Sequence, residues 1–131
     1  MQLHDIPGLH YLTIPVSAAA ADATAVIGTL VMPFKCRLKW GKLVSPTLVS
    51  GHGTNTSNYN VLSVAATVAT ERSHLDLGDG VDLVANTVTL LGTDSTLDID
   101  LNEGDLVQLQ REKVGTGSAL AASFIVAIQG A

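Results

Sequence analysis

The residues whose types could do chemistry are mainly acidic. Three carboxylates, Asp76, Asp79 and Asp82, surround Gly78 and Gly80. Oxygen ligands of this kind suit calcium, but an EF-hand loop needs Asp or Asn at positions one, three and five and Glu at position twelve. The spacing here departs from that pattern. A solvated acidic loop is therefore the favoured interpretation.

Asp98 and Asp100 share one face of an alternating segment and could bind a cation, although solvated carboxylates on an outer face are far more common. A carboxylate pair can also hydrolyse a glycosidic bond. Such a pair needs one carboxylate in an apolar environment that raises its pKa, and no part of the sequence marks any carboxylate as buried. A carboxylate-dependent glycosidase therefore stays a third hypothesis.

The other side chains with catalytic chemistry are scattered. The four histidines, His4, His10, His52 and His74, show no HxH or HExxH spacing. No GxSxG motif marks a nucleophilic serine, and Gly115-Thr116-Gly117 lacks the lysine of a phosphate loop. Cys36 lies among apolar residues, which favours a buried, inert thiol. We therefore expect no enzyme activity, no cofactor and no metal ion.

Positive charge is concentrated in one segment. Of the seven Lys and Arg residues, four fall together, namely Lys35, Arg37, Lys39 and Lys42. In the predicted strand Phe34–Trp40, alternation places the first three on one face and apolar residues on the other. A basic face of this kind is either solvated, where it also discourages edge-to-edge aggregation, or a contact for an acidic partner.

The chain contains a candidate partner for that basic face. A later segment carries five acidic residues, namely Asp94, Asp98, Asp100, Glu103 and Asp105. The two segments could pair within one subunit or between subunits. Alternatively, the basic strand could lie on an acidic surface of a larger assembly.

The strands and turns that must position these residues are predicted most clearly in the last third of the chain. Apolar and acidic residues alternate strictly over Leu97–Leu101, and Asn102–Asp105 supplies turn residues. Further strands are predicted over Leu106–Val114 and Ser123–Gln129. Turn-separated runs of this kind are typical of antiparallel strands.

The rest of the chain follows the same pattern. Strands are predicted over His10–Val16, Thr24–Met32 and Tyr59–Ala69. A flexible polar loop is predicted over Gly51–Asn58, and an acidic, turn-rich segment over Thr70–Asp82. Ser17–Ala23 fits either a short helix or a loop. Residues 1–9 are predicted to be an N-terminal arm, and residues 10–131 a single all-β domain. Eight to ten short strands favour two four-stranded sheets in a jelly-roll-like antiparallel β-sandwich or barrel.

Composition narrows the function classes. The chain has 131 residues, of which 47% are hydrophobic and only 15% charged. Average domains are about 25% charged, so we expect part of the surface to pack against other chains. The net charge of −5 argues against nucleic-acid and anionic-membrane binding. A single cysteine excludes an intrachain disulfide, and the first residues predict no signal peptide.

Several short motifs resemble the head decoration (cement) and head-fibre proteins of tailed bacteriophages. They are Val88-Thr89-Leu90, Leu97-Asp98-Ile99, Glu103-Gly104-Asp105-Leu106-Val107 and Lys113-Val114-Gly115-Thr116-Gly117-Ser118-Ala119-Leu120. Ile14-Pro15-Val16 and Val31-Met32-Pro33-Phe34-Lys35 are similar to the opening strands of that group. The resemblance covers about two thirds of the chain and consists mostly of turn chemistry.

The resemblance implies a jelly-roll-like virion protein without an active site. It would be made in the host cytoplasm and would stabilise the capsid surface as a homotrimer on the lattice of the major capsid protein. We expect capsid contacts at His4, Asp5, Ile6, Lys35, Arg37 and Lys39, and a trimer core at Phe124, Val126 and Ile128. The alternative is a receptor- or glycan-binding head domain of a fibre or adhesin, using loops such as Gly51–Asn58.

Overall fold

The computed structural model describes residues 9–15, 24–91, 99–115 and 123–130. Within these ranges the chain forms nine β-strands. They are β1 (Leu9–Pro15), β2 (Ala25–Val31), β3 (Cys36–Val44), β4 (Thr56–Ala65), β5 (Val68–Asp76), β6 (Val88–Leu90), β7 (Ile99–Leu101), β8 (Leu106–Val114) and β9 (Ser123–Gly130).

The strands form two antiparallel sheets. The four-stranded sheet has the order β2-β8-β4-β5. The five-stranded sheet has the order β1-β9-β3-β6, and β7 also pairs with β3. β6 pairs with the Lys42–Val44 end of β3 and β7 with the Cys36–Leu38 end, so two short strands share one edge. The sequence predicts four strands per sheet, and this divided edge strand accounts for the fifth.

The pairing is nested around the turn between β4 and β5. β4 pairs with β5, β3 with β6 and β7, β2 with β8, and β1 with β9, all antiparallel. The chain is therefore one long hairpin rolled into two facing sheets, which is the double-sheet arrangement of a jelly roll. The predicted all-β, jelly-roll-like sandwich in a single domain is confirmed.

One hydrophobic cluster joins the two sheets. β3 of the five-stranded sheet contributes Leu38 and Leu43, and the four-stranded sheet contributes Tyr59, Val61 and Leu109, all of them fully buried. Burying each such side chain is worth about 1.5–3 kcal/mol. Apolar burial between facing sheets is therefore the main term that holds the sandwich together.

β3 contains a bulge that the alternating pattern does not reveal. Cys36 and Leu38 are buried before it and Leu43 after it, so the inward positions change from even to odd. The pairing of β3 with β9 shifts register between Leu38 and Trp40, as expected when a bulge inserts one extra residue. The predicted strand Phe34–Trp40 needs correction at both ends, since β3 begins at Cys36, after Phe34 and Lys35, and continues to Val44.

The hairpin β4–β5 corrects two sequence predictions. Tyr59–Ala69 is not one strand, and Thr70–Asp82 is not simply turn-rich, because β5 extends through Asp76. The turn residues Ala66 and Thr67 both have positive φ, 50° and 68°. Two-residue hairpins favour Asn-Gly or Asp-Gly at such positions, and their absence here hides the turn.

The predicted bounds of β1, β2, β8 and β9 agree with the structure to within one residue. β8 coincides with the predicted Leu106–Val114, and β1, β2 and β9 begin or end within one residue of their predicted bounds. The segment Ser17–Ala23, which fits a helix or a loop, lies outside the described residues.

Candidate functional site

The basic strand lies at the surface, and one of its residues has a partner in the same chain. Lys35 and Arg37 are exposed and Lys39 is half-buried. Arg37 lies directly opposite Asp100 in the β3–β7 pairing, and Arg37 Nε donates to Asp100 Oδ1 at 3.0 Å. The sequence leaves open whether the basic and acidic segments pair within one subunit or between subunits. At Arg37 and Asp100 the pairing lies within one subunit. Asp94 and Asp98 lie outside the described residues.

The predicted arm contacts His4, Asp5 and Ile6 also lie outside the described residues. Leu9, the last residue of the predicted arm, is the first residue of β1 and pairs with Gln129. A capsid-binding role for residues 1–8 therefore stays a prediction.

The predicted trimer core falls on β9, which runs between β1 and β3 in the five-stranded sheet. The backbone of Phe124 pairs with Ile14 and Leu43, and that of Ile128 pairs with Leu38. Val126 pairs with Leu12 and Gly41. The side chains of β9 lie outside the described part of the structure, so the trimer contact also stays a prediction.

The turn Asn102–Asp105 is attached to the end of β2. Met32 N donates to Asp105 O at 2.8 Å, and Gly104 N donates to Met32 O at 2.9 Å. Inside the turn, Asn102 N donates to Asp105 Oδ2 at 2.8 Å, and Gly104 has a φ of 89°. Glycine adopts this conformation without the steric cost that a Cβ would bring. Two segments that resemble decoration proteins, Val31–Lys35 and Glu103–Val107, are therefore in direct contact.

Cys36 lies beside this contact. Its side chain is 1% exposed, as the sequence predicts, and its Sγ lies 3.6 Å from Met32 Sδ. Burial raises the pKa of the Cys36 thiol, and the nearby Asp105 carboxylate raises it further. Because the thiolate is the nucleophilic form of cysteine, these effects keep the group unreactive.

A groove of about 230 Å³ lies at one end of the four-stranded sheet. It is formed where β4 begins, where β5 and β8 end, and where two loop segments pass beside them. Its lining residues are His52, Gly53, Thr56, Asn58, Asp76, Gly78 and Val114. Three segments distant in sequence thus bring hydroxyl, amide, imidazole and carboxylate groups to one place.

Hydrogen bonds connect the loop before β4 to the segment that contains Leu77 and Asp82. Gly51 N donates to Asp82 Oδ1 at 2.7 Å, and His52 N donates to Leu77 O at 3.1 Å. His52 Nδ1 accepts from the backbone N–H groups of Thr54 and Asn55, both at 3.1 Å. The prediction of a flexible loop over Gly51–Asn58 needs correction at its end, since Thr56–Asn58 belong to β4.

A polar network continues from the groove across the outer face of the same sheet. His74 Nε2 lies 2.7 Å from Asp76 Oδ1, and His74 Nδ1 contacts Asn60 Oδ1. Asn60 Nδ2 donates to Gln110 Oε1 at 3.1 Å and to Glu112 Oε2 at 3.0 Å. These side chains hold Asp76 in place at the wall of the groove.

The acidic cluster predicted near Gly78 is not arranged as a metal site. Asp82 accepts the backbone N–H of Gly51, and Asp76 pairs with His74. Among the described residues, no three His, Cys, Asp or Glu side chains are arranged to hold a metal ion. Nor do these residues include a helix of the length and apolar character needed to cross a membrane.

The groove could not be assembled from the sequence, although the sequence does point to one of its segments. The loop over Gly51–Asn58 is the predicted place for glycan binding, and it provides four of the lining residues, His52, Gly53, Thr56 and Asn58. Asp76, Gly78 and Val114 are distant from that loop along the chain. Only the pairing of β4 with β5 and β8 brings them together.

Comparisons with known proteins identify no family. No protein-family model matches the sequence, and no curated protein matches it. Among solved structures, a chain in the structure of infectious bursal disease virus Gx strain is similar, with a TM-score of 0.47 and 12% sequence identity over 93% of this chain and 32% of that chain. A chain of the Gt strain gives a TM-score of 0.46 and 8% identity over 93% of this chain and 33% of that chain. This chain thus spans about a third of the length of the viral chains it matches, and likeness at these TM-scores is too low to establish a shared fold or role.

Proposed function

We propose that this chain is a non-enzymatic structural protein of a bacteriophage virion that decorates and stabilises the capsid shell as a homotrimer. The resemblance of several short motifs to decoration proteins carries the proposal, and two of those segments meet at the contact between Met32 and the Asn102–Asp105 turn. Two of the segments that resemble decoration proteins lie far apart in sequence, and the hydrogen bonds of Met32 unite them in one structural unit. The jelly roll itself is shared by capsid proteins, lectins and cupins, so the fold does not select among these roles.

The surface chemistry supports a contact with an acidic partner. Lys35 is exposed just before β3, and Arg37 is exposed on β3 of the five-stranded sheet, where it forms its ion pair with Asp100. Both members of that pair are substantially exposed, with side-chain exposures of 44% for Arg37 and 77% for Asp100. An exposed pair of this kind is weak, so an acidic capsid surface can compete for the guanidinium.

Trimerisation would strengthen a modest contact by avidity. When three linked copies bind a lattice, the second and third contacts form at a high effective concentration. Linking even two sites can raise the overall affinity by about 10²–10⁴-fold without any new contact. A small, sparsely charged domain can in this way remain bound to a capsid shell.

The trimer is tested by the solution mass of the purified protein, measured by light scattering over a dilution series. A mass of three times the 13.6 kDa chain that persists on dilution is the expected result. A monomer at every concentration would remove the trimer from the proposal. Phe124→Ala is informative only if circular dichroism shows that the variant remains folded, because Phe124 pairs with the core positions Ile14 and Leu43.

Capsid binding is tested by co-sedimentation with undecorated heads of the phage that encodes the chain. Removing residues 1–8 leaves β1 intact and should abolish binding without unfolding the domain. Lys35→Glu combined with Lys39→Glu should weaken binding in a salt-dependent manner. The control is Lys113→Glu, which reverses one exposed charge on β8 of the other sheet and is compared with Lys35→Glu alone. Full binding by the truncated protein would exclude the arm as a contact.

A further inference from the structure

The groove between His52, Asn58 and Asp76 has the features of a site for a small ligand. Its walls are held from three sides. The His52 loop is bonded to Leu77 and Asp82, β4 pairs with β5 and β8, and Asp76 is bonded to His74. A site whose polar groups are fixed before binding loses little conformational freedom when the ligand arrives.

His52 is set to act as a hydrogen-bond donor. Its Nδ1 accepts two backbone N–H groups, so this nitrogen carries no proton. In the neutral ring the proton must then be on Nε2. Within the described part of the chain, no hydrogen bond occupies Nε2, so its N–H is available to a ligand.

Asp76 and Asn58 complement that donor. Asp76 lines the groove and uses Oδ1 to accept from His74, so its Oδ2 remains as a second acceptor. Asn58 is half-buried and has both an amide N–H₂ and a carbonyl oxygen. An acidic acceptor beside an amide that both donates and accepts can hold two neighbouring hydroxyl groups, each of which is itself donor and acceptor.

Thr56 adds a buried hydroxyl at the same place. The residue is 3% exposed, and within the described residues its Oγ1 has no hydrogen-bond partner. Buried polar atoms without a partner are uncommon and require an explanation. Because Thr56 lines the groove, a ligand hydroxyl could provide that partner.

The charges of the lining argue against a divalent cation and against an anion. Asp76 is the one carboxylate among the described lining residues, which is too few for a divalent cation that takes six or more oxygen ligands. These lining residues include no Lys or Arg, so a phosphate or sulfate would meet a carboxylate without a compensating charge. The lining instead suits a neutral ligand with several hydroxyl groups.

We propose that this groove binds a neutral saccharide, through Asp76 and Asn58 to adjacent hydroxyl groups and through His52 Nε2–H to a third oxygen. The site would act beside capsid decoration and does not depend on it. No aromatic side chain is present among the described lining residues to stack on a sugar ring. Binding by a single groove is therefore expected in the millimolar range, with Val114 as the apolar contact.

The test is a titration of the ¹⁵N-labelled full chain, followed by amide chemical shifts, with the methyl glycosides of glucose, galactose, mannose and N-acetylglucosamine. The expected result is a saturable shift for at least one glycoside, centred on residues 52–58 and 76–78. N-Acetylneuraminic acid should bind more weakly than the neutral glycoside that gives the saturable shift, because its carboxylate is repelled by Asp76. Absence of a saturable shift with all four glycosides, or saturable shifts centred elsewhere, would overturn the proposal.

Variants connect the shifts to the groove. Asp76→Asn and Asn58→Ala should each weaken binding by about tenfold or more, since each removes a hydrogen bond to the ligand. Asp79→Asn is the matched control, because it removes the same charge from an exposed neighbour that does not line the groove. The amide spectrum of each variant reports whether it is folded. Equal loss of affinity in the Asp79 and Asp76 variants would show a general charge effect and overturn the assignment.

Thr56→Val separates binding from folding. Valine has nearly the shape of threonine and lacks the unpartnered hydroxyl, so this variant should be at least as stable as the wild type. If the Thr56 hydroxyl binds the ligand, the affinity of the variant for the glycoside should nevertheless fall. Unchanged affinity in Thr56→Val would remove Thr56 from the site, and unchanged affinity in all three groove variants would overturn the proposal.

Discussion

Arg37 of β3 lies directly opposite Asp100 of β7, with 3.0 Å between Arg37 Nε and Asp100 Oδ1. The basic and acidic segments recognised in the sequence thus meet across two antiparallel strands of one chain. Because both side chains are substantially exposed, water and salt screen the attraction. The pair is therefore better suited to aligning a short edge strand than to stabilising the whole fold.

The first prediction is that this pair contributes about 0–1 kcal/mol to the free energy of unfolding. A double-mutant cycle with Arg37→Ala and Asp100→Ala, measured by urea unfolding at low and high salt, tests this value. The coupling energy should fall as salt is added. A coupling of several kcal/mol that persists at high salt would show that the pair is a major element of stability.

The second prediction concerns Cys36. Burial and Asp105 raise the pKa of its thiol, so the folded protein holds this proton more tightly than the unfolded chain. The resulting stability is fully present below the ordinary cysteine pKa of about 8.5 and is lost as the pH rises through the folded value. Urea midpoints measured from pH 7 to pH 10 should therefore fall more for the wild type than for Cys36→Val.

The same burial should protect the thiol from reagents. At pH 7 the folded protein should react with a thiol reagent only as fast as it opens, whereas the chain in denaturant should react at once. Rapid labelling of the folded protein would mean that the Cys36–Met32 packing opens readily. An equal pH response in Cys36→Val would assign the loss of stability to other groups.

Alternation and turn residues predicted much of this fold. Alternation marked β1, β-branched residues marked β2, and apolar runs bounded by turn residues marked β8 and β9. Gly104 marked the turn that begins β8, since a positive φ favours glycine. The nested order of pairing was less accessible, because sandwiches, jelly rolls and barrels share these local patterns.

The missed features come from places where local chemistry conflicts with the final structure. Ala66 and Thr67 form a hairpin turn without turn residues, and β3 continues through a bulge that reverses its inward and outward positions. Arg111 follows Val107 and Leu109 on the inward side of β8 and is fully buried, although its charge favours an exposed site. The groove was missed because its residues become neighbours only through pairing between distant segments.

The third prediction concerns two glycines of the loop before β4. A Cβ at Gly51 would overlap the carbonyl oxygens of Gly78 and Val81, which are backbone atoms that cannot turn aside. At Gly53 the nearest atom would be Asp79 Cβ at 3.9 Å, an ordinary contact distance. Gly51→Ala should therefore lower the free energy of unfolding by about 1–3 kcal/mol or more, whereas Gly53→Ala should change it little.

Urea unfolding of the two variants gives the comparison. Gly51→Ala should also move the amide shifts of His52 and Leu77, because their hydrogen bond adjoins the displaced backbone. Similar stability of both variants would mean that the loop can separate from the 78–81 segment at little cost. In that case the groove wall formed by His52 would not be fixed.

The last prediction concerns the β4–β5 hairpin, around which the pairing of the described strands is nested. Ala66 and Thr67 both adopt positive φ, a region that costs a residue with a Cβ on the order of 1–3 kcal/mol, and threonine is β-branched as well. Replacing the pair with an Asn-Gly dipeptide, by Ala66→Asn and Thr67→Gly, should raise the free energy of unfolding by about 1 kcal/mol or more. Gly104→Ala is the converse control, because the φ of Gly104 is also positive and a Cβ there would meet no atom within 4 Å. The expected loss in its free energy of unfolding therefore comes from the backbone conformation alone. Thermal unfolding of the three proteins should therefore rank the hairpin variant first, the wild type second and Gly104→Ala last. A hairpin variant less stable than the wild type would show that the side chains of Ala66 and Thr67 make contacts that outweigh the strain of their turn.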